Sequence, residues 1–152
     1  MVEIRQAAAG DVPGLLPLVE EYWKFEGISG FESSRVAAQL DRLLSEPRLG
    51  AGWIATASGV AVGYLLAVYV FSLEHLGITA EIDEFFVAPA QRGRGIGSEL
   101  LKVAESECRH VGCTNVSLQL SRHNSSARAF YRRHEYAERS GYELLEKMLH
   151  DS

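Results

Sequence analysis

An α/β fold with a mixed sheet is the architecture this sequence predicts, and three observations carry it. An apolar run, Ile82 to Ala88, closes at Pro89 and is followed by a loop with glycine at every second position: Gly93, Gly95 and Gly97. Next, Ile96, Leu100, Ala104, Cys108 and Val111 recur on one face at helical spacing, and beyond a stop at Gly112 the stretch Val116 to Leu120 reads as another strand. Strand, crossover helix and strand imply a parallel pair with a right-handed connection. Upstream, Gly52 to Ala57 and Val60 to Phe71 flank Ser58-Gly59, a turn dipeptide that sets up an antiparallel hairpin.

The remaining elements fall in around these. Val2 to Ala7 is a short strand. Asp11 is placed to cap a helix with Pro13 in its first turn and Leu15, Leu16, Val19, Tyr22 and Trp23 as its apolar stripe. After a glycine-punctuated segment, Lys24 to Glu32, Ser33 or Ser34 starts a second helix with Val36, Leu40, Leu43 and Leu44 inward, stopped by Pro47. Ser72 to Thr79 reads as a loop. Downstream of the parallel pair, a polar stretch leads into a short helix, Ala127 to His134, and two strands, Tyr136 to Arg139 and Tyr142 to Met148, close the chain around Ser140-Gly141. The order β-α-α-β-β-β-α-β-α-β-β describes a mostly antiparallel sheet with a central parallel pair, flanked by about four helices.

The 152 residues make one domain, 1–152, by the length prior. A hydrophobic fraction of 47% with 23% charged residues is that of a water-soluble globule, and a net charge of −5 speaks against nucleic acid as a partner. No apolar run reaches a membrane span, and Glu3 and Arg5 break any signal-peptide plan, so a cytoplasmic protein is expected. Cys108 lies on an apolar helical face, which favours free thiols over a disulfide, and the five histidines show no metal-ligand spacing, so no metal is expected.

The glycine loop carries the chemistry. At a helix start it aims backbone N–H groups and the positive end of the helix dipole outward, which suits a pyrophosphate, and Arg92 and Arg94 add charge of the right sign. It is not a Walker loop, because no lysine follows until Lys102, nor a dinucleotide fingerprint, because Ser98 stands where the third glycine belongs. Arg92-Gly-Arg-Gly95-Ile-Gly97 instead resembles the R/Q-x-x-G-x-G/A acyl-CoA signature of the GNAT superfamily of N-acetyltransferases.

The predicted element order is also that of this superfamily, and the resemblance extends over nearly the whole chain. Ile4 to Ala7 with Asp11-Val12 is similar to the family's first strand and helix start, and Asn124, Ala127, Phe130 and Tyr131 to its N-x-x-A-x-x-x-Y element. His134-Glu135-Tyr136 departs from the family's Leu-Gly-Phe. The resemblance implies a GNAT-like fold with acetyl-CoA as cosubstrate. It would be held by Phe86 and Val87, by the loop residues Arg92, Gly93, Arg94, Gly95, Ile96, Gly97 and Ser98, and by Asn124, Ala127 and Tyr131.

Acetyl transfer to an amine needs two proton steps. An ammonium with a pKa near ~10 must lose its proton, and the departing thiolate, of parent pKa near ~8.5, must gain one. Glu81 and Asp83 are two apart on a strand and so share a face, with Glu84 turned away; a bulge would change which acids lie together. Glu81 and Asp83 rank nearly equal as the base, with Glu81 slightly preferred because its longer side chain reaches further into a cleft. Tyr131, where the resemblance places a tyrosine facing the cofactor, is the candidate acid. The other tyrosines carry a packing role.

For the acceptor, the resemblance points to Lys24–Glu32 and Ser72–Thr79. Glu26 and Glu74 there, with Glu81 and Asp83, make the acceptor side acidic, which favours a small cationic amine. The competing expectation is a catalytically silent acyl-CoA-binding sensor or scaffold. Base and tyrosine together favour turnover, since binding requires neither. A homodimer is compatible with the sequence.

Overall fold

A computed structural model describes residues 1–150. It divides into two compact units, one from Met1 to Gln119 and one from Leu120 onward. The first holds a five-stranded sheet in the order β1-β2-β3-β4-β5, formed by β1 (Val2–Gln6), β2 (Gly50–Ala57), β3 (Val60–Ser72), β4 (Gly77–Val87) and β5 (Val116–Leu118). The first four strands run antiparallel to their neighbours, and β4 pairs with β5 in parallel. That is the predicted mixed sheet with one parallel pair, and it is crossed over by α3 (Ile96–His110).

Helices α1 (Val12–Glu26) and α2 (Ser33–Ser45) cover one face. Leu15, Leu18 and Val19 of α1 and Leu40 of α2 are buried against Ile54, Tyr64, Leu66 and Phe86 of the sheet. Helix α3 packs on the other face, where Ile96, Leu100, Leu101, Ala104 and Cys108 are buried. Gly63 lets it come close, because a Cβ there would stand 3.2 Å from Leu100 Cδ1 and 3.2 Å from the carbonyl oxygen of Phe86. Val111, expected on the same helical face, follows the helix and is 48% exposed.

Local chemistry settles several ends differently from the sequence reading. Asp11 occupies the N-cap position of α1, but its carboxylate accepts from the backbone N–H of Ala8 at 2.8 Å and pairs with Arg5 at 2.8 Å, which lowers its pKa. Glu32, not Ser33 or Ser34, caps α2 by accepting from the backbone of Ser34 and Arg35. The expected loop Ser72–Thr79 shrinks to a hairpin turn, because Ser72 already pairs with Gly77 and β4 starts there. In the second unit α4 spans Ser125–Arg133. Residues 136–139 and 142–148, expected to be strands, form none. No helix among the described residues is long and apolar enough to cross a membrane.

Candidate active site

Strand β4 is built around one irregularity. Its register with β3 holds from Ser72–Gly77 to Ala67–Ile82 and resumes at Leu66–Glu84, leaving Asp83 without an opposite residue. This is a β-bulge, and it shifts the in–out alternation by one residue. Glu84 stands opposite Leu66, and Glu81 opposite Val68, two residues along from Leu66, so Glu81 and Glu84 share the face covered by α1 and α2. The expectation that Glu84 turns away from Glu81 is thereby corrected.

At the same point β4 loses a neighbour. It pairs with β5 only from Ala80 to Ile82, while its pairing with β3 continues to Val87. From Asp83 onward its other backbone edge has no strand beside it among the described residues, so an extended, amide-bearing molecule could add there as a strand would. Glu81 lies just before this fork and Asp83 on it. The Gln119 amide donates to Glu81 Oε1 at 3.3 Å. Asp83 is exposed, yet the protein packed around its carboxyl displaces enough water to raise its pKa above the usual carboxylate range.

The fork leads directly into the glycine loop. Gly93 and Gly95 sit at φ 78° and 82°, left-handed conformations that other residues adopt only under strain. Gly95 is the N-cap of α3, and no side chain caps this helix. The first-turn N–H groups, which lack intrahelical partners, therefore face the loop. Arg94 reaches only Gln91, at 3.4 Å. Arg92 is built inward: its Nε donates to the carbonyl of Val87 at 2.9 Å, and its guanidinium lies 5.3 Å and 5.2 Å from the ring centres of Phe25 and Phe86. That stacking ties the loop to the end of α1.

The wall beside the fork is aromatic. Trp23 Nε1–H donates to Glu84 Oε2 at 2.8 Å, and Tyr64 O–H donates to Glu84 Oε1 at 2.9 Å. Burial pushes the Glu84 carboxyl above its ordinary range, while these two donors pull it back. Burial beside the same carboxylate raises the fully buried Tyr64 phenol well above its ordinary value. Trp23 stacks edge-on to Phe31 at 5.5 Å, and Tyr22 to Phe86 at 5.9 Å. Glu84, expected to turn away, is placed on this face by the bulge.

Fork, open strand edge and glycine-capped helix follow one another along the chain, and the family model described as the acetyltransferase (GNAT) family matches residues 15–136. The chain belongs to the acetyltransferase (GNAT) family. It is 31% identical over 135 residues to the aminoalkylphosphonate N-acetyltransferase of Salmonella typhimurium, covering 88% of this chain and 84% of that protein. YhfO of Bacillus subtilis (strain 168), an uncharacterized N-acetyltransferase, is 26% identical over 148 residues, 93% of each chain. Among solved structures, an integron cassette protein from the mobile metagenome of Cole Harbour Salt Marsh superposes with a TM-score of 0.85 at 29% identity, covering 98% of this chain and 91% of that one. The protein is an acetyl-CoA-dependent acetyltransferase.

In the second unit of this acetyltransferase, Asn124 caps α4: its Oδ1 accepts from the backbone N–H of Ala127 at 3.1 Å and from the Ser126 hydroxyl at 3.3 Å. Tyr131 is half-buried, its ring edge-on to Phe130 at 5.3 Å and to Tyr136 at 5.5 Å. Glu135, where the family has glycine, takes the left-handed conformation itself at φ 70°. Glu26 ends α1 and Glu74 lies in the β3–β4 turn, both exposed. A cavity of about 590 Å³, lined by Gln6, Leu44, Arg48, Tyr69 and Glu107 among others, shares no residue with the fork or the loop. No cluster of His, Cys, Asp and Glu among the described residues is arranged to hold a metal.

Proposed function

We propose that this acetyltransferase moves the acetyl group of acetyl-CoA onto the primary amine of a small molecule by direct attack in a ternary complex, residues 1–152 acting as one catalytic domain. The observation that carries the reading is the fork in β4: two carboxylates, Glu81 and Asp83, border an open backbone edge that runs into an uncapped helix start. The backbone N–H groups of residues 93–98 take the pyrophosphate, and the edge from Asp83 to Val87 takes the amides of the pantetheine arm. Phe86 and Val87 then border the thioester.

The acceptor arrives as an ammonium ion. Asp83, whose pKa burial raises above the usual carboxylate range and which lies on the open edge, removes the proton directly or through water, and Glu81 attracts the cation. The freed lone pair forms the C–N bond to the acetyl carbonyl, the C–S bond breaks, the thiolate takes a proton from the Tyr131 hydroxyl, and the second proton leaving the nitrogen restores that hydroxyl through solvent. Tyr131 enters by the resemblance of its helix to the family's tyrosine-bearing element. The aromatic wall of Trp23, Phe25 and Phe31 gives the acceptor a flat apolar side, with Glu26 near its rim. The Salmonella relative is named for a small aminoalkyl compound, which supports a small acceptor over a protein tail.

The test is thiol release from acetyl-CoA across a panel of small amines: diamines, amino acids and aminoalkylphosphonates. Amine-dependent release with product acetylated at nitrogen is the expected result. Tight acetyl-CoA binding with no turnover on any amine would replace this reading with that of a silent acyl-CoA sensor.

A further inference from the structure

We propose that the cavity beside the last turn of α3 binds a small zwitterion, an amino acid with an apolar side chain or a dipeptide of such residues, at a site separate from the fork and the glycine loop. Its volume of about 590 Å³ is that of a small-molecule site, typically about 300–1,000 Å³. Four neighbouring strands line it, through Gln6 of β1, Ala51 of β2, Tyr69 of β3 and Ile78 of β4. These side chains share the face of the sheet on which α3 packs. Gln6 pairs with Trp53, two residues from Ala51; Ala51 pairs with Ala67, two from Tyr69; and Phe71, two from Tyr69, pairs with Ile78. Glu107 and Val111 come from the end of α3, and Leu44 and Arg48 from the end of α2 and the turn after it. Ile78 and Val111 are 40% and 48% exposed, so an apolar group entering the cavity removes their surface from water.

The polar groups decide the ligand. Arg48 and Glu107 line the same cavity with opposite charges, yet neither takes part in an ion pair among the described residues, with the other or with any third group. The side chains of Gln6 and Tyr69 make no hydrogen bond there either. Burial pushes the Tyr69 phenol up to about 12, with Cys108, Cys113 and Glu107 adding to the rise, so its hydroxyl keeps its proton at neutral pH and donates. A ligand of one charge would satisfy Arg48 or Glu107 and leave the other unmatched. A zwitterion meets both: its acid group takes the guanidinium, and its ammonium takes the carboxylate. The Gln6 amide, donor and acceptor at once, suits the peptide group that a dipeptide adds. Leu44, Ile78 and Val111 receive the apolar side chain. Because Arg48 is exposed, water screens part of this attraction and the affinity is modest.

The experiment is calorimetric titration of the full chain, without acetyl-CoA, with L-leucine, L-phenylalanine and L-leucyl-L-leucine. Saturable binding of at least one, with a Kd of about 1 mM or tighter, is the expected result, and the comparison of amino acids with dipeptide separates the two sizes. Leucinamide, which lacks the carboxylate, and N-acetyl-L-leucine, which lacks the ammonium, should bind about 3- to 10-fold more weakly than L-leucine. Arg48→Ala and Glu107→Gln should each lose about 3- to 10-fold in affinity for the zwitterion and keep the parent's affinity for CoA. Asp83→Asn should bind the zwitterion as the parent does. In the parent, saturation with the tightest of the three probes should slow amide exchange at residues 48–52 and 107–111 and leave 83–97 unchanged, which decides alone if a variant does not fold. Three outcomes would each overturn the proposal: no saturable binding of any probe, equal binding of the two singly charged controls, or affinity lost in Asp83→Asn and kept in Arg48→Ala and Glu107→Gln. The last would put the zwitterion in the acceptor site. A silent acyl-CoA sensor would carry the same cavity, so this result is independent of the thiol-release assay.

Discussion

Trp23 and Glu84, 61 residues apart, are joined by a hydrogen bond of 2.8 Å from the indole N–H to Oε2, which fastens the end of α1 to the strand that carries the acids. With Tyr64 on the other oxygen, Glu84 has both oxygens occupied and acts as a brace for the acceptor wall. Glu84→Ala would leave an N–H and an O–H unpaired in a partly buried site and should cost about 2–4 kcal/mol, read by urea unfolding. Because its pKa is raised in the folded state, the stability that Glu84 contributes is full below its unfolded pKa and is lost as pH rises through the folded value. Glu84→Gln should therefore stand closer to the parent at neutral pH than at pH 4.

Gly95 is the position where the loop depends on glycine. A Cβ there meets nothing within 4 Å, so any penalty comes from its φ of 82° and not from a clash. Gly95→Ala should cost about 1–2 kcal/mol in stability and weaken CoA binding about 10-fold or more, since the loop can relax only by turning its N–H groups. Calorimetric titration with CoA checks this; unchanged affinity in a folded variant would remove the loop from the binding site.

The end of α4 offers a test of opposite sign. Glu135 holds φ 70° so that the N–H of Tyr136 can reach the carbonyl of Tyr131 at 3.0 Å. Glu135→Gly should relieve the strain and stabilise the protein by about 0.5–1 kcal/mol after the greater freedom of the unfolded glycine is counted, a melting-temperature rise of about 1–4 °C. A fall in melting temperature would mean that the glutamate side chain makes a compensating contact.

Much of this was legible in the chain. The helical stripe Ile96–Leu100–Ala104–Cys108 and the Ser58-Gly59 hairpin point to three elements, α3, β2 and β3, and the glycine spacing marks the loop. The acids were read as a set but faced wrongly, because one extra residue at Asp83 inverts every side chain before it and no local sequence signal announces a bulge. Glu32 was passed over as a cap because serines followed it, although a longer carboxylate reaches the same N–H groups. The alternation at 142–148 predicts a strand, and among the described residues that segment forms none, because pairing depends on an edge that periodicity alone does not supply.

Tyr131→Phe separates chemistry from packing on α4. Loss of the hydroxyl alone should leave CoA affinity unchanged and reduce kcat on the order of 10²-fold, the scale of one acid–base group. The ring contacts with Phe130 and Tyr136 survive the change, so the melting temperature should move little. Turnover at the parent rate would show that solvent protonates the thiolate.

The base assignment rests on the difference between two carboxylates at the fork. Asp83 has a folded pKa raised by loss of water, so its basic form is present above that value and disappears as pH falls through it. The acidic limb of the kcat/KM profile should therefore lie above the ordinary carboxylate range, and Asp83→Asn should abolish it. That variant should be slowed about 10²-fold near neutral pH and recover as pH approaches the amine's own pKa, where free amine needs no help. Glu81→Gln should keep the limb and raise the acceptor KM, because its task is to attract the cation. The same raised pKa means that Asp83's own contribution to stability is full below its unfolded pKa and is lost as pH rises through the folded value, so Asp83→Asn should remove that part of the parent's pH dependence. If instead the limb disappears in Glu81→Gln and survives in Asp83→Asn, the two roles are exchanged. Parent-like profiles in both variants would leave water held by the open backbone edge as the route for the proton.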